Sequence, residues 1–148
     1  MNRLILIVVI GGSRVALSAA AVESVVEIDA LIPVPRAAPH VAGLTALRSR
    51  VLTVIDCSIA LGLGAGDTAP GAGSEAVVVE IDGHHYALLV DVVDDVVEVL
   101  GEPGPVPLAL GEGWERVALG LVQSEEGPLL LIDAAALVGG ADARAAAA

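Results

Sequence analysis

Residues 11–28, GGSRVALSAAAVESVVEI, align without a gap on residues 82–99, DGHHYALLVDVVDDVVEV. Gly12 falls on Gly83, Ala16-Leu17 on Ala87-Leu88, Val22 on Val93, and Val25-Val26-Glu27 on Val96-Val97-Glu98. A second block follows in the same order, with Gly43-Leu44 through Val54-Ile55-Asp56 lying over Gly120-Leu121 through Leu131-Ile132-Asp133. One such block is no more than Val-rich strands share by chance. Two in the same order indicate an internal duplication.

Each half then carries one succession of signals. An apolar strand (4–10, or 76–81) meets a turn at Gly11-Gly12 or Asp82-Gly83 and continues into a second strand, which is a hairpin pattern. A third strand is expected around 22–28 and 92–100. Proline-containing crossovers (Pro33, Pro35, Pro39; Pro103, Pro105, Pro107) lead to two more strands, 44–47 with 51–55 and 117–123 with 129–132. Asp56 and Asp133 each precede a short apolar stretch ending at Gly62 or Gly139, the pattern of a helix N-cap and a left-handed C-terminus, so both aspartates are expected to be caps.

The expected fold is therefore mainly β: two similar five-stranded small β-barrels with short helices. The chain, 1–148, is read as a single domain. Subdomain one spans 3–61, a Gly/Ala/Pro-rich linker 62–74, subdomain two 75–138 and a tail 139–148.

Composition narrows the function. All seven basic residues are arginines, set against 19 acids for a net charge of −12, which argues against nucleic acid and against anionic membrane surfaces as partners. Residues of hydrophobic type make up 55%, yet Trp114 and Tyr86 are the only aromatics, so Val, Leu, Ile and Ala must build the core. Two small barrels cannot bury so much apolar surface, and the surplus is expected at exposed patches of the kind that protein partners cover. The lone Cys57 excludes an internal disulfide and fits a reducing, cytoplasmic setting. No stretch is long and apolar enough to insert into a membrane. Arg3, the run 4–10 and Ala16-Leu17-Ser18-Ala19 also resemble a secretory leader, the alternative being a small secreted or periplasmic β-protein.

Catalytic signatures are missing: there is no G-x-S-x-G elbow, no phosphate loop, and no His-paired nucleophile for Cys57. His84 and His85 are near Glu80 and Asp82 in a predicted hairpin. Adjacent strand residues point to opposite faces, so the two imidazoles are not expected to share an ion. The acids Asp91, Asp94, Asp95 and Glu98 interleave with valines as a solvated strand face. No catalytic residue, cofactor or metal site is expected, and a small hydrolase is the rival from the enzyme class.

From Arg3 to Val138 the blocks 12–17, 22–26, 39–49, 53–56 and 86–97, in this order, resemble the CheW-like family of chemotaxis coupling proteins. That resemblance implies a non-enzymatic cytoplasmic adaptor joining a histidine kinase regulatory domain to the cytoplasmic tips of chemoreceptors, or a scaffold in a non-chemotactic two-component complex. It also implies partner contacts at Val22, Ser24, Gly43, Ala46, Leu47, Arg48, Ser49, Leu89 and Val90. Two departures bear on coupling. The family's Asn-Leu-Arg-Gly turn reads Ala46-Leu47-Arg48-Ser49, and the glutamate usual in the third strand falls at Ser24. By strand alternation Glu23 and Glu27 are expected to point away from Ser24 and leave that carboxylate unreplaced.

Overall fold

The computed structural model describes residues 2–63, 73–106 and 109–140. Ten strands and three short α-helices follow the order β1 (Asn2–Ile10), β2 (Ser13–Ser18), β3 (Val22–Ile28), β4 (Val41–Leu47), β5 (Arg50–Asp56), α1 (Cys57–Ala60), β6 (Ser74–Ile81), β7 (His84–Leu89), β8 (Val92–Leu100), α2 (Glu112–Val117), β9 (Ala118–Ser124), β10 (Gly127–Ile132) and α3 (Ala134–Gly139). The strand series of the two halves match, as the duplication implies. Helix α2 carries no clear sequence signal and was not expected. None of the described helices is long and apolar enough to cross a membrane.

The strands form two five-stranded sheets that do not divide at the linker. Sheet A runs β8-β1-β2-β10-β9 and sheet B runs β3-β6-β7-β5-β4. Each sheet thus takes a hairpin from one half and three strands from the other, which corrects the expectation of one barrel over 3–61 and another over 75–138. Of the linker, 64–72 lie outside the described residues, and its last expected residue, Ser74, already belongs to β6. Of the tail, 141–148 lie outside them too. Neither sheet is closed by a ladder, although edge strands β8 and β9 of sheet A come into contact, so the sheet is curled rather than a sealed barrel.

The exchange preserves the repeat residue for residue. Parallel pairing of β2 with β10 sets Val15, Ala16 and Leu17 opposite Leu130, Leu131 and Ile132. Parallel pairing of β7 with β5 sets Tyr86, Ala87 and Leu88 opposite Thr53, Val54 and Ile55, the aligned positions of the other half. Antiparallel β1 and β8 pair Ile5 with Val97, and β6 and β3 pair Ala76 with Val26, again aligned positions.

Two-sided burial explains why the central strands read as unbroken apolar runs. In β1, Ile5 and Ile7 face a cluster inside sheet A with Ala16, Val99 and Leu131, while Leu6, Val8 and Ile10 face the junction between the sheets. In β6, Ala76 and Val78 line the inside of sheet B with Leu52, Val54 and Ala87, while Val77 and Val79 join the junction. Full burial of a Val, Leu or Ile side chain is worth about 1.5–3 kcal/mol, so the five buried side chains of β1 together contribute on the order of 10 kcal/mol before ordering entropy is subtracted. That equals the net stability of a typical domain, about 5–15 kcal/mol. Segment 2–10 is thus the strand that joins β8 to β2, and removing it as a leader would split sheet A.

Both expected caps form. Asp56 Oδ1 accepts the Ile59 N–H at 3.2 Å and Asp133 Oδ1 accepts the Ala135 N–H at 3.1 Å. Gly62 takes φ 76° after α1, as expected, whereas α3 runs through Gly139 and the left-handed residue is Gly140, φ 64°.

Candidate docking surface

Strands β4 and β5 form a hairpin at the edge of sheet B, with Leu47 paired to Arg50 and a two-residue turn at Arg48-Ser49. Both turn residues have positive φ, 49° and 68°, the combination that matches the right-handed twist of a hairpin. Glycine or asparagine normally holds such positions, because a Cβ there costs roughly 1 kcal/mol or more. The surrounding ladder enforces the turn and carries Arg48 and Ser49 to the tip, both exposed.

Leu47 turns inward and packs against the interior cluster of sheet B, as does Leu89 from β7. Ala46 faces outward opposite Val51, which is 63% exposed. Ile32, 62% exposed, extends this outward face through its bridge to Leu44, whose N–H donates to the Ile32 carbonyl at 2.8 Å while the Ile32 N–H donates back at 2.8 Å. An arginine tip thus adjoins an apolar rim of Ile32, Ala46 and Val51. Arg3, Arg14 and Arg50 are held in ion pairs; Arg48 makes none with any described residue.

The remaining expected contact residues are scattered. Val90 is 8% exposed and, with half-buried Val22, packs at the junction between the sheets, so Val90 serves the core and offers a partner no surface. Gly43 is buried, and a Cβ there would stand 2.6 Å from the Ile32 carbonyl oxygen. Its place in the hairpin is structural. Ser24 is exposed on β3, at the opposite edge of sheet B from β4.

The expectation that Glu23 points away from Ser24 is overturned by a β-bulge. Between Val22 and Ser24 the β3 strand advances two residues while β6 advances one, from Val79 to Val78. The extra residue is Glu23, and a bulge re-aims its side chain. Its carboxylate accepts from Arg50 Nη1 at 2.7 Å, and its other oxygen lies 3.2 Å from His85 Nε2. A carboxylate therefore does reach an arginine of this hairpin, from residue 23 instead of 24 and to Arg50 instead of Arg48. The bulge has no local sequence signal; only the ladder with β6 reveals it.

The groups with catalytic potential are engaged elsewhere. Burial pushes the Cys57 thiol well above its ordinary range, with Asp56 and Asp91 adding to the effect, so it stays protonated and inert. His40 is buried, its Nε2 2.7 Å from the Val138 carbonyl oxygen. Asp91 accepts the Gly12 N–H at 3.1 Å, and Asp94 accepts from Arg14 at 2.8 Å. A cleft of about 350 Å³ between the end of α1 and α2 is lined, among the described residues, by Leu61, Leu63, Glu112, Trp114 and Arg116 with neighbouring glycines, and has no Ser, Thr, Cys or His among them. Its arginine is committed to backbone carbonyls, those of Ala136 at 2.9 Å and of Ala60.

Comparison with known proteins agrees with this architecture. A family model described as the CheW-like domain matches residues 4–142. The solved structures include the scaffolding protein TtCheW from Thermoanaerobacter tengcongensis, 21% identical, with a TM-score of 0.76 and 90% of each chain covered. None of the curated proteins matches the sequence.

Proposed function

The chain belongs to the CheW-like domain family, a family of scaffolding proteins rather than enzymes, and from that premise we propose that it is a cytoplasmic adaptor. It docks on the regulatory domain of a histidine kinase and links that kinase to the cytoplasmic tips of chemoreceptors. The observation that carries this reading is the outer edge of sheet B. There Arg48 stands without an ion-pair partner among the described residues, beside exposed Ile32, Ala46 and Val51. Arginine suits a protein interface because its planar fork pairs with carboxylates while its stem packs on apolar groups. The net charge of −12 makes a free arginine at a hairpin tip all the more distinctive as a point of recognition.

A second reading is favoured by one feature, the turn Ala46-Leu47-Arg48-Ser49, which keeps only the Leu and Arg of the family's pattern. In that reading the kinase contact persists and the receptor is replaced by another component of a two-component complex. Calorimetric titration of the purified chain with the kinase regulatory domain and, separately, with a receptor-tip fragment from the same cell separates the two. Saturable binding to both supports the coupling adaptor, and binding to the kinase domain alone supports the second reading. Binding to neither overturns the proposal.

A further inference from the structure

On sheet B, Glu23 of β3, Glu80 of β6 and His85 of β7 converge. His85 Nε2 lies 3.2 Å from Glu23 Oε2 and 3.1 Å from Glu80 Oε2, and one donor atom from each residue falls within 4.8 Å of the others. An imidazole nitrogen carries at most one hydrogen, so it cannot direct a linear bond at both oxygens. Separations near 3 Å are, by contrast, the edge of a coordination shell. Ligands about 2.0–2.2 Å from one ion stand about 3.0–3.5 Å apart at octahedral or tetrahedral angles.

The duplication supplies an independent observation. Arg14 and His85 occupy aligned positions, as do Asp94 and Glu23. In sheet A the place between two carboxylates is filled by a permanent cation, Arg14, 2.8 Å from Asp94 and 3.0 Å from Glu126. In sheet B the same place holds an imidazole, which carries no permanent charge, between two carboxylates. Arg50 offsets one of them, but it engages Glu23 Oε1 at 2.7 Å and leaves Oε2 facing His85. One carboxylate is matched, Glu23 with Asp94, whereas Glu80 aligns with Val9 and Glu126 with Ser49. The sheet B site thus also sets two carboxylates about its central group, the second from a different strand, but without a permanent cation between them.

We infer that Glu23, Glu80 and His85 bind a divalent transition-metal ion of the zinc class, which takes the place that Arg14 fills in sheet A. One imidazole with two carboxylates suits such an ion; calcium and magnesium prefer all-oxygen shells with more ligands. Three protein ligands leave room for water, since Glu23 and Glu80 are 40% and 56% exposed. Because the ligands come from three strands, the ion staples edge strand β3 to β6 and β7, and Arg50 keeps its bond to Glu23 Oε1. The bulge at Glu23 has a purpose in this arrangement, as it delivers the third ligand.

The test is titration of the full chain, stripped with chelator, with zinc chloride alone, followed by calorimetry and by thermal melting. The expected result is one ion per chain at micromolar free zinc, with a melting temperature that rises with zinc concentration. His85→Ala should weaken binding by about 100-fold, and Glu23→Gln and Glu80→Gln by about tenfold or more each. His84→Ala, on the adjacent residue, should leave it unchanged. Should His85→Ala fail to fold in chelator, the exposed Glu80→Gln carries the comparison. The inference is overturned if the wild-type chain neither binds zinc nor gains thermal stability from it, or if Glu80→Gln and a folded His85→Ala bind as the wild type does.

Discussion

Gly43 and Gly120 hold the same backbone conformation at aligned places in the two sheets, φ 152° and 150°, each pressed against a crossing segment. A Cβ on Gly43 would stand 2.6 Å from the Ile32 carbonyl oxygen, and one on Gly120 would stand 2.8 Å from that of Gly104. The contacts they permit are also matched: Ile32 bridges Leu44 and Gly104 bridges Leu121. Alanine at either place must displace backbone and adopt a φ that L residues avoid. Gly43→Ala and Gly120→Ala are each expected to destabilise the fold by about 2–4 kcal/mol in urea unfolding, and by similar amounts. A loss below about 0.5 kcal/mol at either site, the range of an ordinary surface change, contradicts this account.

Arg48 gives the opposite expectation. It is exposed and unpaired among the described residues, so Arg48→Glu should change stability by no more than about 0.5 kcal/mol. Affinity for the kinase regulatory domain should nevertheless fall about tenfold or more, equivalent to about 1.4 kcal/mol, read by calorimetry. Unchanged affinity removes Arg48 from the interface.

Arg116 ties two helices together, donating to the carbonyls of Ala60, the last residue of α1, and of Ala136 in α3. Arg116→Ala leaves both carbonyls without that donor and is expected to cost about 2–4 kcal/mol, measured by thermal or urea unfolding. Arg116→Lys should recover only part of the loss, because one ammonium on a flexible stem cannot reproduce the planar fork.

Cys57 makes stability depend on alkaline pH. Burial holds its thiol pKa above the unfolded value of about 8.5, so below that pH both states are neutral and the thiol contributes no pH dependence. As pH rises further the unfolded chain ionises first, and stability falls by about 1.4 kcal/mol per pH unit toward the folded-state pKa. Urea midpoints compared at pH 8, 9 and 10, as about the range needed, should show this slope in the wild type and its absence in Cys57→Ala. A variant with the wild-type slope assigns the effect to other groups.

What the sequence determined by itself was local. Alternating and unbroken apolar runs between Gly turns marked the strands, because backbone period and turn conformation depend on near neighbours. Asp56 and Asp133 were legible as caps for the same reason, and aligned blocks disclosed the repeat before any contact was known. The tertiary structure decided what depends on distant pairing. Strands buried on both faces, such as β1 and β6, carry no mark of which neighbour they will take, so the exchange of hairpins between halves was invisible. A bulge is a relation between two strands, so the reach of Glu23 to Arg50 and His85 could not be read from β3 alone. Val90 illustrates the same limit: its surface is lost only because the two sheets meet over it, a burial set by packing and not by its own sequence neighbours.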